Sequence, residues 1–211
     1  MRGLYIALEG PEGSGKTTQL RRLAARLRQM GWEVVEVREP GSTGLGEQVR
    51  SLLADPAHAA MTPEAETLLF AAARAQLIRE VVRPALDRGA AVLSDRCVYA
   101  SVAYQGYGRG LGAEVVWQVN ELATGGLVPD LVVLLDLPAE LGLERDTEKG
   151  ASRRDRIERE GLEFHRRVRE GYLRLSREDP RIRVVRAEDD PDRVAERVWE
   201  AVRPLLERAD G

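Results

Sequence analysis

The sequence predicts an α/β fold of three layers, a five-stranded parallel sheet flanked by helices on both faces. Two observations carry that expectation. Short β-branched and leucine-rich runs alternate with longer amphipathic segments from one end of the chain to the other, the order produced by repeated strand-helix-strand units. The runs are also almost continuously apolar, Leu131-Val132-Val133-Leu134-Leu135 being a clear case, as strands buried on both faces of a parallel sheet require.

The first strand is expected at Leu4–Leu8 and the first helix at Thr17–Met30, where Gly31 ends the pattern. Glu33–Val37 reads as the second strand. A long helical pattern over Glu64–Leu86 is introduced by Thr62-Pro63-Glu64, a capping hydroxyl with proline at the first helical position, and is closed by Gly89. Ala90–Ser94 reads as the third strand, Ala113–Thr124 as a helix, and Leu131–Asp136 as the fourth strand. Helical patterns follow over Pro138–Thr147 and Ile157–Arg177, then a fifth strand at Ile182–Val185 and a last helix over Pro191–Arg208 behind Asp190. No repeat, low-complexity tract or linker divides the 211 residues, so 1–211 reads as a single domain.

Composition narrows the function. No apolar run approaches the roughly 20 residues that span a bilayer, and the N-terminal apolar stretch is cut by Glu9 too early for a signal-peptide core, so no membrane partner is expected. Cys97 is the sole cysteine, which rules out a disulfide within the chain and makes the cytoplasm the default home. A net charge of −3 offers no general footprint for nucleic acid, so an anionic ligand must be held locally. Of 32 basic residues only Lys16 and Lys149 are lysine. The segment from Arg145 to Arg177 carries eleven Lys/Arg against seven Asp/Glu in an otherwise acidic chain, and is expected to face something negative.

One of the two lysines sits in Gly10-Pro11-Glu12-Gly13-Ser14-Gly15-Lys16-Thr17, which fits GxxxxGK[ST] between the first strand and the first helix. Glycines let the backbone turn so that successive N–H groups point at phosphate oxygens, and the helix N-terminus adds positive potential. Lys16 then reaches the β- and γ-phosphates and the Thr17 hydroxyl is offered to Mg²⁺, so residues 10–17 with Thr18 form an ATP-binding P-loop. Such a loop wants a carboxylate at a strand end for the metal. Asp95 and Asp136 both end apolar strands, and pattern alone leaves the choice open; Asp95 is followed at once by Arg96. A GTP-hydrolysing switch is disfavoured, because Asn120 is the only asparagine and neither lysine follows it. A non-catalytic nucleotide-binding module would be expected to have lost Lys16, Asp95 or the basic segment, and all are present.

Phe70 and Arg74 stand four apart and share one helix face; by spacing alone a core ring and a solvated guanidinium explain them as well as a binding site does. The wider context resembles the bacterial thymidylate kinases of the nucleoside monophosphate kinase family. The similarity runs in order through the P-loop with its acidic Glu12, Arg38-Glu39-Pro40-Gly41-Ser42-Thr43, Phe70-Ala71-Ala72-Ala73-Arg74-Ala75-Gln76, Asp95-Arg96 with Ala103-Tyr104-Gln105-Gly106, Leu135-Asp136-Leu137-Pro138 and Asp155-Arg156-Ile157-Glu158. Three positions depart from the family pattern: Cys97 for tyrosine, Ser42 for glycine and Ala73 for aspartate.

The resemblance implies ATP-dependent phosphorylation of dTMP with Mg²⁺ by a homodimer, and it implies roles. Phe70 would stack on the pyrimidine while Arg74 donates to its O4. Ser101 would contact the base edge, with Gln105 beside it, and Tyr104 would crowd out a ribose 2′-hydroxyl. Arg96 and Arg38 would hold the acceptor phosphate, for which a planar guanidinium suits better than lysine. Glu12, whose charge opposes phosphate, would meet the acceptor 3′-hydroxyl. A P-loop without arginine implies that a lid over about 147–160 supplies Arg153 and Arg156 to the transferred phosphoryl group, Arg154 being a weaker candidate. Another nucleoside or nucleotide kinase is the alternative, told apart by acceptor preference.

Overall fold

A computed structural model describes residues 3–147 and 155–209. Its five strands, β1 (Leu4–Glu9), β2 (Val34–Arg38), β3 (Ala91–Asp95), β4 (Leu131–Asp136) and β5 (Ile182–Arg186), form one parallel sheet in the order β2-β3-β1-β4-β5. The three-layer expectation holds. Residues alternate across the sheet: Leu4, Ile6 and Leu8 of β1 pack under α1 (Lys16–Gln29) and α9 (Pro191–Ala209). Tyr5 and Ala7 face the other side, where α3 (Pro63–Leu77), α5 (Val98–Ser101), α6 (Ala113–Thr124) and α8 (Leu162–Glu178) lie. From β1 the chain crosses to β2, whereas from β3 it crosses past β1 to β4, so a crevice opens at the carboxyl ends of β1 and β3. Among the described residues no helix is long and apolar enough to cross a membrane.

The helix Ala113–Thr124 and the strand Leu131–Asp136 begin and end where the sequence places them. Other elements differ. An unforeseen helix, α2 (Gly44–Ala54), is held by Thr43, whose Oγ1 accepts the Gly46 N–H at 2.9 Å; Gly44 and Gly46 are weak helix formers that mask its pattern. The single helix expected over Glu64–Leu86 runs through one wide π turn, Ile78–Val82, into α4 (Arg83–Asp87). Pro84 has no N–H to continue a regular ladder there. Val98–Gly108, whose β-branched, aromatic and glycine content gives no helical pattern, is α5 followed by a wide turn over Val102–Gly108. The helix expected to start at Ile157 starts at Leu162, because Asp155 Oδ1 accepts the N–H groups of Ile157 and Glu158, both at 2.9 Å, and folds 155–160 into turns. Between β4 and that segment lies α7 (Ala139–Thr147).

Candidate active site

The P-loop connects β1 to α1. Its glycines are dictated by backbone geometry: Gly10 has φ 144° and a Cβ there would lie 2.4 Å from the Leu135 carbonyl oxygen, while one on Gly13 (φ 70°) would lie 2.4 Å from that of Gly142 in α7. The N-terminus of α1 has no side-chain cap and no acidic residue in its first turn, so its orphan N–H groups and dipole face the loop uncompensated. Lys16 is buried and curls back over the loop, donating to the carbonyls of Gly10 (3.1 Å) and Pro11 (2.9 Å) and to Ser14 Oγ (3.4 Å). Phosphate oxygens offer the same ammonium stronger acceptors.

Register decides between the two strand-end carboxylates. In β3, Ala91 and Leu93 pack on the α1 side of the sheet, so Asp95 points there too, and Thr17 Oγ1 donates to its Oδ2 at 2.5 Å. In β4, Val132 and Leu134 face the α8 side, and Asp136 accepts a bidentate pair from Arg169 of α8 at 2.7 and 2.9 Å. Two adjacent oxygen donors, one ionisable, suit a hard cation such as Mg²⁺, which completes its shell with water and nucleotide phosphate.

Next to Asp95, Arg96 sits in the left-handed region at φ 73°. Its guanidinium donates to Glu12 Oε1 (2.5 Å), the Tyr104 hydroxyl (3.1 Å), the Gly10 carbonyl (3.3 Å) and the Tyr172 hydroxyl (3.3 Å), and Tyr104 in turn donates to Glu12 Oε1 at 2.7 Å. Burial alone would raise the Glu12 carboxyl; Arg96 and Lys16 outweigh it and hold it at about 2. Burial, aided by the Arg96 charge and opposed by Glu12 and Asp95, brings the Lys16 ammonium down to about 8.

Two cavities meet at Glu12 and Arg96. The larger, 670 Å³, runs along Lys16, Thr17, Thr18, Asp95, Arg38 and Arg145. The smaller, 120 Å³, lies behind it and is lined by Phe70, Arg74, Ser101, Tyr104 and Gln105. The wide turn over Val102–Gly108 turns Tyr104 toward Glu12 and Gln105 toward Glu66 of α3, which accepts from its Nε2 at 2.7 Å. Ser101 Oγ is buried with no hydrogen-bond partner among the described residues. Arg74 is not a solvated helix face: 2% exposed, it donates through Nε to Glu39 Oε2 (2.5 Å), through Nη1 to Asn120 Oδ1 and through Nη2 to the Cys97 carbonyl (3.2 Å). Three of its five N–H groups are thereby engaged. Phe70 is half-buried against the cluster of Val49, Leu53 and Ala73.

A family model described as thymidylate kinase matches residues 8–198. The chain belongs to the thymidylate kinase family. It is 52% identical over 202 residues to the thymidylate kinase of Deinococcus radiodurans, covering 95% of this chain and 97% of that one. The thymidylate kinase of Carboxydothermus hydrogenoformans is 47% identical over 211 residues, with both chains covered in full. Among solved structures, the thymidylate kinase of Ehrlichia chaffeensis superposes with a TM-score of 0.77 at 29% identity, over 96% of this chain and 99% of that one.

Within this thymidylate kinase fold, not every candidate residue reaches the two cavities. Arg38 lines the larger one with its guanidinium on Glu47, at 2.8 Å. Arg153 and Arg154 lie outside the described residues. Arg156 is not brought to the phosphate loop: it is buried, pairs with Glu66 at 2.7 Å, donates through Nε to the Leu53 carbonyl (3.0 Å) and through its backbone N–H to that of Ala54 (3.0 Å). Glu66 also accepts from Arg109, at 3.1 Å, so one buried carboxylate of α3 gathers the ends of α2, the turn after Val102 and the 155–160 segment. The sequence does not point to Arg50, which lines both cavities, because two glycines hide the pattern of its helix α2, nor to Glu39 and Asn120, because their partner Arg74 is distant in sequence.

The low Lys16 value has a measurable consequence. In the free protein Lys16 is charged below about pH 8 and neutral above it, whereas bound phosphates favour the charged form. ATP binding is therefore expected to take up about half a proton at pH 8, little at pH 6.5, and to weaken as pH rises beyond 8. Calorimetry in buffers of different ionisation enthalpy measures the uptake; its absence at pH 8 contradicts the lowering of the Lys16 ammonium to about 8.

Proposed function

We propose that this chain transfers the γ-phosphoryl group of ATP to dTMP, giving ADP and dTDP in the supply of dTTP. The observation that carries the reading is the pair of cavities joined at Glu12 and Arg96, one over the P-loop and one enclosing Phe70 and Arg74. ATP takes the larger, its phosphates on residues 10–18 and its β- and γ-oxygens on Lys16. The smaller takes thymine and deoxyribose, with Phe70 against the ring, Arg74, Ser101 and Gln105 on polar edges, Tyr104 against the sugar and Glu12 near its 3′-hydroxyl. Arg96, assisted by Arg38, holds the acceptor phosphate, one oxygen of which attacks the γ-phosphorus as the bond to the β-phosphate breaks and ADP leaves.

Thr17 and Asp95 would hold Mg²⁺, which offsets the charge on the β- and γ-phosphates when bound. For the charge that spreads over the transferred group the proposal relies on Lys16, Arg96 and Arg153 of the 147–160 lid in a single domain. To Arg156 it gives the anchoring of that lid's base on Glu66, in place of direct phosphate contact. The reading extends to a cytoplasmic homodimer; the exposed Leu68 of α3 and Val115 and Leu122 of α6 support a helical subunit contact.

Phe70→Ala is expected to raise the KM for dTMP by about tenfold or more, the size of a lost aromatic contact, with the ATP KM changed less than about twofold. Steady-state kinetics with each substrate varied in turn makes the measurement. Equal effects on both KM values would place Phe70 in the general core and remove the base from the smaller cavity.

A further inference from the structure

Glu9 is the last residue of β1 and 0% exposed, yet lines neither cavity. Strand alternation sends its side chain to the face of Tyr5 and Ala7, beneath α5 and α8. A buried carboxylate persists when its oxygens are satisfied, and these are. Oε1 accepts the backbone N–H groups of Cys97 (2.8 Å) and Ala100 (3.0 Å), and Oε2 accepts the hydroxyl of Tyr172 in α8 at 2.7 Å. The Tyr172 oxygen in turn accepts from Arg96 Nη1 at 3.3 Å. Burial pushes the Glu9 carboxyl up from its ordinary range, opposed by the Arg96 charge and the Tyr172 hydroxyl.

These contacts converge on one side chain in an unusual conformation. A bulky residue at φ 73° is kept there only by surroundings that over-determine it. The Arg96 N–H is fixed on the Leu8 carbonyl (3.0 Å), its own carbonyl accepts Ser94 Oγ (2.5 Å), and the following N–H, that of Cys97, is fixed on Glu9. We propose that Glu9 and Tyr172 are positioning residues for Arg96: Glu9 locks the turn that carries it, and Tyr172, oriented by Glu9, steadies its guanidinium toward the acceptor phosphate. A helix cap alone would account for the bonds to Cys97 and Ala100 but not for the bridge through Tyr172 to Nη1. The proposal rests on the reading that Arg96 holds the acceptor phosphate.

Tyr172→Phe keeps the ring, which meets Tyr104 edge-on at 6.3 Å, and deletes only the hydroxyl. It is expected to lower kcat/KM for dTMP about tenfold while the ATP KM moves less than about twofold. In an Arg96→Ala background the same change is expected to cost less than about twofold, since there is no guanidinium left to position. Glu9→Gln, which retains an acceptor for Cys97 and Ala100 but turns a donor toward Tyr172, is expected to match Tyr172→Phe; should it not fold, Tyr172→Phe decides. A merely structural role predicts a lower melting temperature with the same fractional change in both backgrounds, and that result overturns the proposal. Wild-type turnover of dTMP with an unchanged kcat/KM in Tyr172→Phe overturns it alone; a wild type that does not phosphorylate dTMP overturns the acceptor reading and this proposal together.

Discussion

Lys16→Met is expected to lower phosphoryl transfer from ATP to dTMP by roughly a thousandfold while the protein remains folded. The ammonium is the one lysine charge inside the phosphate loop, and its current partners, the carbonyls of Gly10 and Pro11 and the Ser14 hydroxyl, only park it there. Removing it eliminates a desolvated charge from the resting protein, so the fold loses little. The transition state loses a donor aimed where negative charge builds up. Initial rates of ADP release, with circular dichroism melts as the folding control, make the comparison. A folded Lys16→Met variant with near wild-type turnover would remove the P-loop from the chemistry.

Arg74→Met is expected to destabilise the protein by about 3–5 kcal/mol, because it strands the Glu39 carboxylate in the interior. In a chain of this size that corresponds to a melting temperature roughly 6–20 °C lower. Burial already pushes the Glu39 carboxyl up against the opposing pull of Arg74, so removing Arg74 is expected to push it further up. The double variant Arg74→Met/Glu39→Gln, which leaves no charge behind, is expected to recover much of the loss. A solvated helix face predicts a shift within about 0.5 kcal/mol for the single variant, and such a result contradicts the buried pair.

That same residue marks the boundary of what could be read from the chain. The P-loop was legible because its chemistry is local: eight consecutive residues set the backbone path, the lysine and the hydroxyl, and flanking strand and helix patterns confirm the context. The strands were legible for the same reason, each being a short apolar run whose period needs no partner. Spacing placed Phe70 and Arg74 on one face, but could not tell a solvated face from a pocket wall, since Glu39 and Asn120 lie 35 and 46 residues from Arg74. The choice between Asp95 and Asp136 depended on which neighbours in each strand face α1, a property of register across the sheet. Arg156 read as a lid arginine for the transferred phosphoryl group, and only the folded chain shows Glu66, distant in sequence, drawing it inside. Helix α2 was hidden by two glycines that its Thr43 cap and its packing on α3 override.

The central claim, that the smaller cavity admits a pyrimidine deoxynucleotide as phosphoryl acceptor, is tested most directly by ADP release from ATP against a panel of dTMP, dCMP, AMP, GMP, CMP and UMP under one set of conditions. Phe70, Arg74 and Tyr104 line that cavity, so its ring, guanidinium and phenol are the groups that meet the base and sugar of the acceptor. The account predicts the highest kcat/KM for dTMP, with every ribonucleotide far below it. Faster turnover of AMP, GMP or any ribonucleotide than of dTMP would contradict it.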